Sequence, residues 1–227
     1  QGGRAYIDAV APHAPVLKYN GAFFQHPEGA AVLPELITHA KAQGLLIIAD
    51  VKVSDIGSSN DAWCFGHRAL GADAITIAPY AANLHETIVA AKRHQLATII
   101  VCVMSNPEYE REMHATDPKT GEALYQLRTR VAVENDADAI VVGGTYDPED
   151  PILTYVVSET RDTPTLYLIP GIGAQGGSVE QVFTAGLDPD RCLFSASRSL
   201  MFPNGSNSTP EEQEAEAKRL QILTFAS

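Results

Sequence analysis

Charged side chains gather in the run Asp50-Val51-Lys52-Val53-Ser54-Asp55, directly after the apolar stretch Leu45-Leu46-Ile47-Ile48-Ala49. Alternate residues of a strand face the same side, so Asp50 and Lys52 are expected to project together from a strand's end. A carboxylate and an ammonium removed from water are costly unless good geometry and further hydrogen bonds compensate. Charges placed at the end of an apolar strand therefore point to a site, with a structural ion pair or a solvated strand end as the plainer alternative. Lys18 ends another apolar run, Val16-Leu17-Lys18, and is expected at the same rim. In a Lys–Asp–Lys array the carboxylate offsets the desolvation of both ammoniums and keeps them charged. Such an array can stabilise charge developing on a substrate and deliver a proton.

A second cluster suits a phosphate. Pro170-Gly171-Ile172-Gly173-Ala174-Gln175-Gly176-Gly177-Ser178 places four glycines just before a helical segment. Glycine lets the backbone approach an anion, and the following helix N-terminus offers N–H donors. By itself such a loop is often only a tight strand-to-helix turn. The next strand-like run ends in Ser195-Ala196-Ser197-Arg198-Ser199, where an arginine can grip a phosphate with two parallel hydrogen bonds.

The elements that must position these groups alternate along the chain. Strand-like runs are expected at 14–18, 45–52, 74–79, 98–105, 139–145, 165–170 and 192–197. Most are rich in Val and Ile and apolar on both faces, as in a parallel sheet covered by helices. Helices are expected at 28–43, 60–70, 84–94, 122–135, 151–159 and 178–185, and a last one at Pro210–Phe225, with Thr209 as its N-cap. Strand–helix repetition implies an α/β fold with parallel strands. The chain opens on a further helix, 4–10, with no strand before it. A (β/α)8 TIM barrel needs one more strand upstream, so the expectation is a single barrel domain, 1–227, whose amino-terminal strand is absent from this sequence; the alternative is an open seven-stranded sheet. In such barrels phosphate is often held by the loops after the seventh and eighth strands, which would place the glycine-rich loop and Arg198 at one site. The stretch from Ser105 to about Gly121 is long for a connection and marks a functional or mobile loop.

Bulk properties narrow the partners. A formal charge of −12 argues against general nucleic-acid binding, which needs a basic face, but leaves room for a small anion held by local cations. The acidity fits either solubility or a salty habitat. No apolar run approaches a membrane span. Cys64, Cys102 and Cys192 lie in apolar contexts without a paired spacing, which fits reduced, buried thiols and a cytoplasmic setting. The seven histidines are scattered, so no metal site is expected.

Taken in order, these motifs resemble the orotidine 5'-monophosphate decarboxylase family. Asp50-x-Lys52-x-x-Asp55-Ile56 matches that family's signature, and Val16-Leu17-Lys18-Tyr19-Asn20 with Ala22-Phe23-Phe24 is similar to the lysine strand of its bacterial-type branch. Ser105-Asn106-Pro107 resembles the base-binding loop, Val141-Val142-Gly143-Gly144-Thr145 the sixth strand, and the two clusters above the phosphate loops. The likeness runs from about residue 5 to residue 202. It implies decarboxylation of orotidine monophosphate to uridine monophosphate, in pyrimidine synthesis, with no metal or organic cofactor. By family analogy Lys52 protonates the C6 carbanion, Asp50 holds Lys52 beside the departing carboxylate, and Lys18 completes the network near the ribose. Asp55 and Ser59 are expected to serve the neighbouring subunit's site in a homodimer, Ser105 to contact the base, and Gln175 and Arg198 the phosphate. The sequence departs from the family in lacking a Gly-Leu-Asp-Pro type motif, in Tyr19 for proline, and in Val53-Ser54 for Arg-Gly. The competing readings are a sugar-phosphate decarboxylase or synthase of the same superfamily, generally metal-dependent, and a barrel that binds a nucleotide without turning it over.

Overall fold

The computed structural model describes residues 2–106, 108–172 and 176–225. After helix α1 (Gly2–Val10) come strand β1 (Val16–Asn20), α2 (Pro27–Ala42), β2 (Leu46–Val53), α3 (Gly57–Leu70), β3 (Ala74–Ile77), α4 (Leu84–Arg93) and β4 (Ala97–Val103). The second half adds α5 (Tyr109–Met113), α6 (Leu124–Glu134), β5 (Ala139–Val142), α7 (Pro151–Thr160), β6 (Leu166–Pro170), α8 (Val179–Thr184), β7 (Cys192–Ser195), α9 (Arg198–Met201) and α10 (Pro210–Phe225). All seven strands are parallel and pair in chain order. This is the expected α/β barrel architecture, with strand positions within a few residues of those read from sequence. Among the described residues α1, rather than a strand, precedes β1, and no pairing joins β1 to β7. Outside the sheet α1 packs on α10, and His13 Nδ1 meets Gln221 Oε1 at 2.9 Å.

The strands bury both faces because each face has its own core. Ile47, Ala49, Ile75, Ile100, Cys102 and Ile140 point outward into the layer shared with the helices. Their alternates Ile48, Ala74, Ile99, Val101, Ala139, Val141 and Leu168 fill the interior, with Val16 and Leu193 from the edge strands. Period-two alternation thus puts Lys18, Asp50 and Thr76 on the interior side, one layer above this apolar floor.

Acidic residues lock the amino ends of the strands. Asp73 Oδ2 accepts from Ile47 N at 2.9 Å, and Asp138 Oδ2 accepts from Thr98 N at 2.8 Å. Sequence-local caps define the helices. Asp150 accepts from Ile152 N at 2.7 Å ahead of Pro151, and left-handed Gly71 ends α3. Thr209 caps α10 as expected, in a reciprocal pair with Glu212. The long 105–121 connection is partly built. It contains α5, and Thr116 pairs with Ala123 across a turn braced by the Asp117 side chain. Arg128 ties α6 to Glu112 of α5 at 2.8 Å. No described helix is long and apolar enough to cross a membrane.

The loops after β5 and β6 touch through glycine. A Cβ at Gly177 would collide with the Gly144 carbonyl, and Gly144 N donates to Pro170 O at 2.9 Å. Gly177→Ala is expected to destabilise the chain by about 1–3 kcal/mol through this overpacking, read from urea unfolding. An unchanged midpoint and slope would show that the two loops yield freely.

Candidate active site

The carboxyl ends of the strands surround a cavity of about 180 Å³ lined by Lys18, Asp50, Lys52, Thr76, Val101, Met104, Ser105, Val141, Leu168 and Pro170. At its centre Asp50 Oδ2 accepts from Lys18 Nζ at 2.8 Å, and Asp50 Oδ1 accepts from Lys52 Nζ at 2.6 Å. The Lys–Asp–Lys array expected from the sequence is therefore present. Burial would raise the Asp50 carboxyl, but the Lys18 charge and the hydrogen bonds from both lysines outweigh it and hold the group below the ordinary aspartate value. The two lysines differ in access. The Lys18 side chain is 18% exposed and that of Lys52 41%, so Lys52 is the ammonium more open to a ligand.

One expectation needs correction. Asp50 and Lys52 do face one cavity, but not through regular strand alternation. Ala49 pairs with Ile75 and Val53 with Ile77, so three residues of β2, 50 to 52, stand opposite Thr76 alone. Lys52 takes a positive φ of 49° within this bulge. A left-handed backbone costs a side-chain-bearing residue roughly 1–2 kcal/mol, and bulges of this kind re-aim side chains beside functional sites.

Asp55 lies past the end of β2, exposed, and does not line the cavity of its own chain. Its carboxylate accepts from Ile56 N at 2.8 Å. Its backbone is clamped by buried Asn60, which accepts from Asp55 N at 3.0 Å and donates to Asp55 O at 2.5 Å. Asn83 donates to the same carbonyl at 3.0 Å. Ser59 follows in the first turn of α3, its N–H donating to Ile56 O. Ser105 lines the cavity, and Gly143 leaves room for its backbone. Thr145 Oγ1 donates to Ser105 O at 3.1 Å, and the Tyr146 hydroxyl donates to Met104 O at 2.9 Å, fixing the start of this loop.

Gln175 lies outside the described residues, as do Gly173 and Ala174. Around them Gly177 N donates to Gly171 O at 3.1 Å. The helix after this loop is less open than expected, because Ser178 Oγ accepts from Gln181 N at 3.1 Å in a capping box and occupies one first-turn donor. Arg198 begins α9 and is exposed. Pro170 pairs with Ser195, so the glycine loop and the Arg198 turn leave adjacent strands at the same rim.

Sequence reasoning missed Thr76, Asn60, Thr145 and Tyr146. Thr76 is uncharged and sits inside the unremarkable run Ala74-Ile75-Thr76-Ile77; only a buried hydroxyl on an interior strand position hinted at it. Among the described residues no group of three His, Cys, Asp or Glu is arranged to hold a metal ion. A larger depression on α1 and α2, lined by Arg4, Glu35 and His39 among others, gathers no comparable charge constellation.

The fold and site together are a parallel α/β barrel with a buried aspartate held between two lysines at the carboxyl ends of its strands. Residues 3–185 match the model of the orotidine 5'-phosphate decarboxylase / HUMPS family, and the chain belongs to that family. It is 30% identical over 220 residues to an orotidine 5'-phosphate decarboxylase of Halorubrum lacusprofundi, covering 92% of this chain and 76% of that protein. To the enzyme of the same name from Natronomonas pharaonis it is 31% identical over 230 residues, covering 96% and 81%. Among solved structures, Leishmania donovani UMP synthase superposes with a TM-score of 0.81 at 28% identity, over 100% of this chain and 50% of that one. The chain thus spans half the length of that synthase.

Because the folded Asp50 carboxyl is held below its ordinary value, its contribution to stability is present above the unfolded aspartate range, about pH 4, and is lost as pH falls through the folded value. Urea unfolding of wild type and Asp50→Asn is expected to show a stability gap that is widest near neutrality and narrows below about pH 4. A gap independent of pH would contradict the ion-paired state.

Proposed function

We propose that this chain decarboxylates orotidine 5'-monophosphate to uridine 5'-monophosphate and carbon dioxide, the closing step of pyrimidine nucleotide synthesis. The observation that carries the reading is Asp50 shared between Lys18 at 2.8 Å and Lys52 at 2.6 Å inside a cavity at the carboxyl ends of the strands. The C6–carboxylate bond breaks with its electron pair left on C6, and carbon dioxide departs. Lys52 Nζ, the more accessible ammonium, gives a proton to that carbon and is recharged from solvent. Asp50 keeps Lys52 aimed and charged, and Lys18 fixes the other carboxylate oxygen beside the ribose. Ser105 receives the base. Gln175 and Arg198, on adjacent rim loops, take the phosphate, whose binding energy helps order the site for chemistry.

No organic cofactor or metal enters this scheme. Both Asp50 oxygens are occupied by ammoniums, which leaves the carboxylate poorly placed to ligate a divalent ion and supports the nucleotide enzyme over a metal-dependent sugar-phosphate relative. The protein acts as a homodimer in which Asp55 and Ser59 reach the partner's site. Supporting this, Asp55 is exposed, does not line its own chain's cavity and has its backbone held by Asn60, and the loops after β1, β2 and β3 expose Phe23, Ile56 and Tyr80. Exposed apolar groups of that size mark an interface. The location is cytoplasmic, in keeping with free thiols that burial pushes up, to about 11 at Cys64 and about 12 at Cys102.

The purified, chelator-treated protein is expected to consume orotidine monophosphate, followed by the fall in orotate absorbance. Absence of turnover, or turnover only with added magnesium, would refute the assignment. Lys52→Ala is expected to lose at least about a thousandfold in kcat while uridine monophosphate still binds; near-wild-type turnover would remove Lys52 from the proton-donor role.

Mixing inactive Lys52→Ala with inactive Asp55→Ala protein is expected to restore roughly a quarter of wild-type activity, since random exchange yields heterodimers with one intact site each. No recovery despite demonstrated subunit exchange would exclude a shared site.

A further inference from the structure

Thr76 stands opposite the β2 bulge with its hydroxyl at the centre of the backbone that carries Asp50 and Lys52. The residue is 1% exposed. Its Oγ1 accepts from Val51 N at 3.0 Å and from Lys52 N at 2.9 Å. A threonine oxygen has two lone pairs and one hydrogen. With both lone pairs engaged by amides, the hydrogen is left for an acceptor. Asp50 Oδ1 lies 3.2 Å away, nearer than the Ala49 carbonyl at 3.5 Å. One side chain therefore does what the ladder cannot do here. It satisfies the two amides that the bulge displaces from β3, and it turns its proton to the carboxylate that holds Lys52.

We propose that Thr76 is the positioning residue of this site: its hydroxyl fixes the left-handed turn at Lys52 and orients Asp50, so that Lys52 Nζ is held where proton transfer needs it. The inference rests on the decarboxylase reading, because it assigns Thr76 a part in that reaction. Thr76 touches no substrate in this scheme and acts through Asp50 and Lys52. Lys52 is the only residue of β2 with a positive φ, and such a conformation persists only where the surroundings over-determine it. Removing the acceptor leaves two amides without a partner and lets the bulge relax. An isosteric apolar side chain keeps the packing but cannot accept either hydrogen bond.

Thr76→Val, Thr76→Ser and wild type are to be compared for steady-state decarboxylation, thermal midpoint and the pH dependence of kcat. Wild-type turnover is read first, since its absence would overturn the decarboxylase reading itself. Given wild-type turnover, Thr76→Val is expected to lose about ten- to a hundredfold in kcat, the scale set by a small misplacement of a reacting group, with KM for the nucleotide within about threefold because Thr76 itself holds neither phosphate nor base in this scheme. Thr76→Ser keeps the oxygen and is expected to retain most of kcat. The acid limb of the Thr76→Val profile is expected to move to higher pH, because loss of a donor to a carboxylate favours its protonated form. If Thr76→Val does not fold, the serine variant carries the test, and a kcat loss there of about tenfold or more would overturn the proposal. So would a folded Thr76→Val enzyme with wild-type kcat and an unmoved acid limb, whatever its thermal midpoint, since that is the outcome of packing alone.

Discussion

Everything at the mouth of this barrel depends on one carboxylate kept charged in a place that should protonate it. Asp50 is largely withdrawn from water, and desolvation is the strongest single influence on it. Two ammoniums at 2.8 and 2.6 Å reverse that influence, and the Thr76 hydroxyl lies 3.2 Å from the same carboxylate. The three partners come from adjacent strands, β1, β2 and β3, so the ion cluster also records the register of the sheet. A buried ion pair gives little net stability when its desolvation is counted. Its value here is positional, since the carboxylate fixes where each ammonium lies.

The barrel supplies this position in layers. Apolar interior residues from Val16 to Leu193 form a dry floor, and the charged layer stands one residue higher on the same strand faces. Strands β1 and β3 run straight through both layers, whereas β2 departs from its ladder where the charges begin. The distortion brings Asp50 and Lys52 together at the carboxyl end, then carries the chain out to the clamped turn at Asp55. Inward and outward positions within the Asp50–Asp55 run thus follow from one local irregularity followed by one clamped loop.

Much of this was legible in the sequence. Runs of Val and Ile bounded by helical segments fixed seven parallel strands, and Ser178 and Thr209 announced the starts of α8 and α10. Lys18, Asp50 and Lys52 stood out because charges at the ends of apolar strands are rare enough to need a reason. The bulge was not legible, because Asp50–Val53 keeps an alternating pattern that a regular strand would also show, and the hydroxyl that accepts from its amides lies on another strand at Thr76. Asn60 escaped for the same reason: its effect on Asp55 depends on how the loop folds back, not on spacing. The capping pair at the start of α8 was not legible either, since Ser178 and Gln181 satisfy each other only once the helix has formed.

The central claim is that the Lys18–Asp50–Lys52 cluster aims Lys52 at the carbon that loses carbon dioxide. A crystal structure of the protein with a uridine monophosphate analogue bearing an anionic oxygen at C6 tests it most directly. The expected result is Lys52 Nζ within about 3 Å of that oxygen, the reach of a proton donor, with both Asp50 ion pairs intact. A nucleotide bound with C6 beyond about 6 Å from Lys52, outside any hydrogen-bonding reach, would contradict the account.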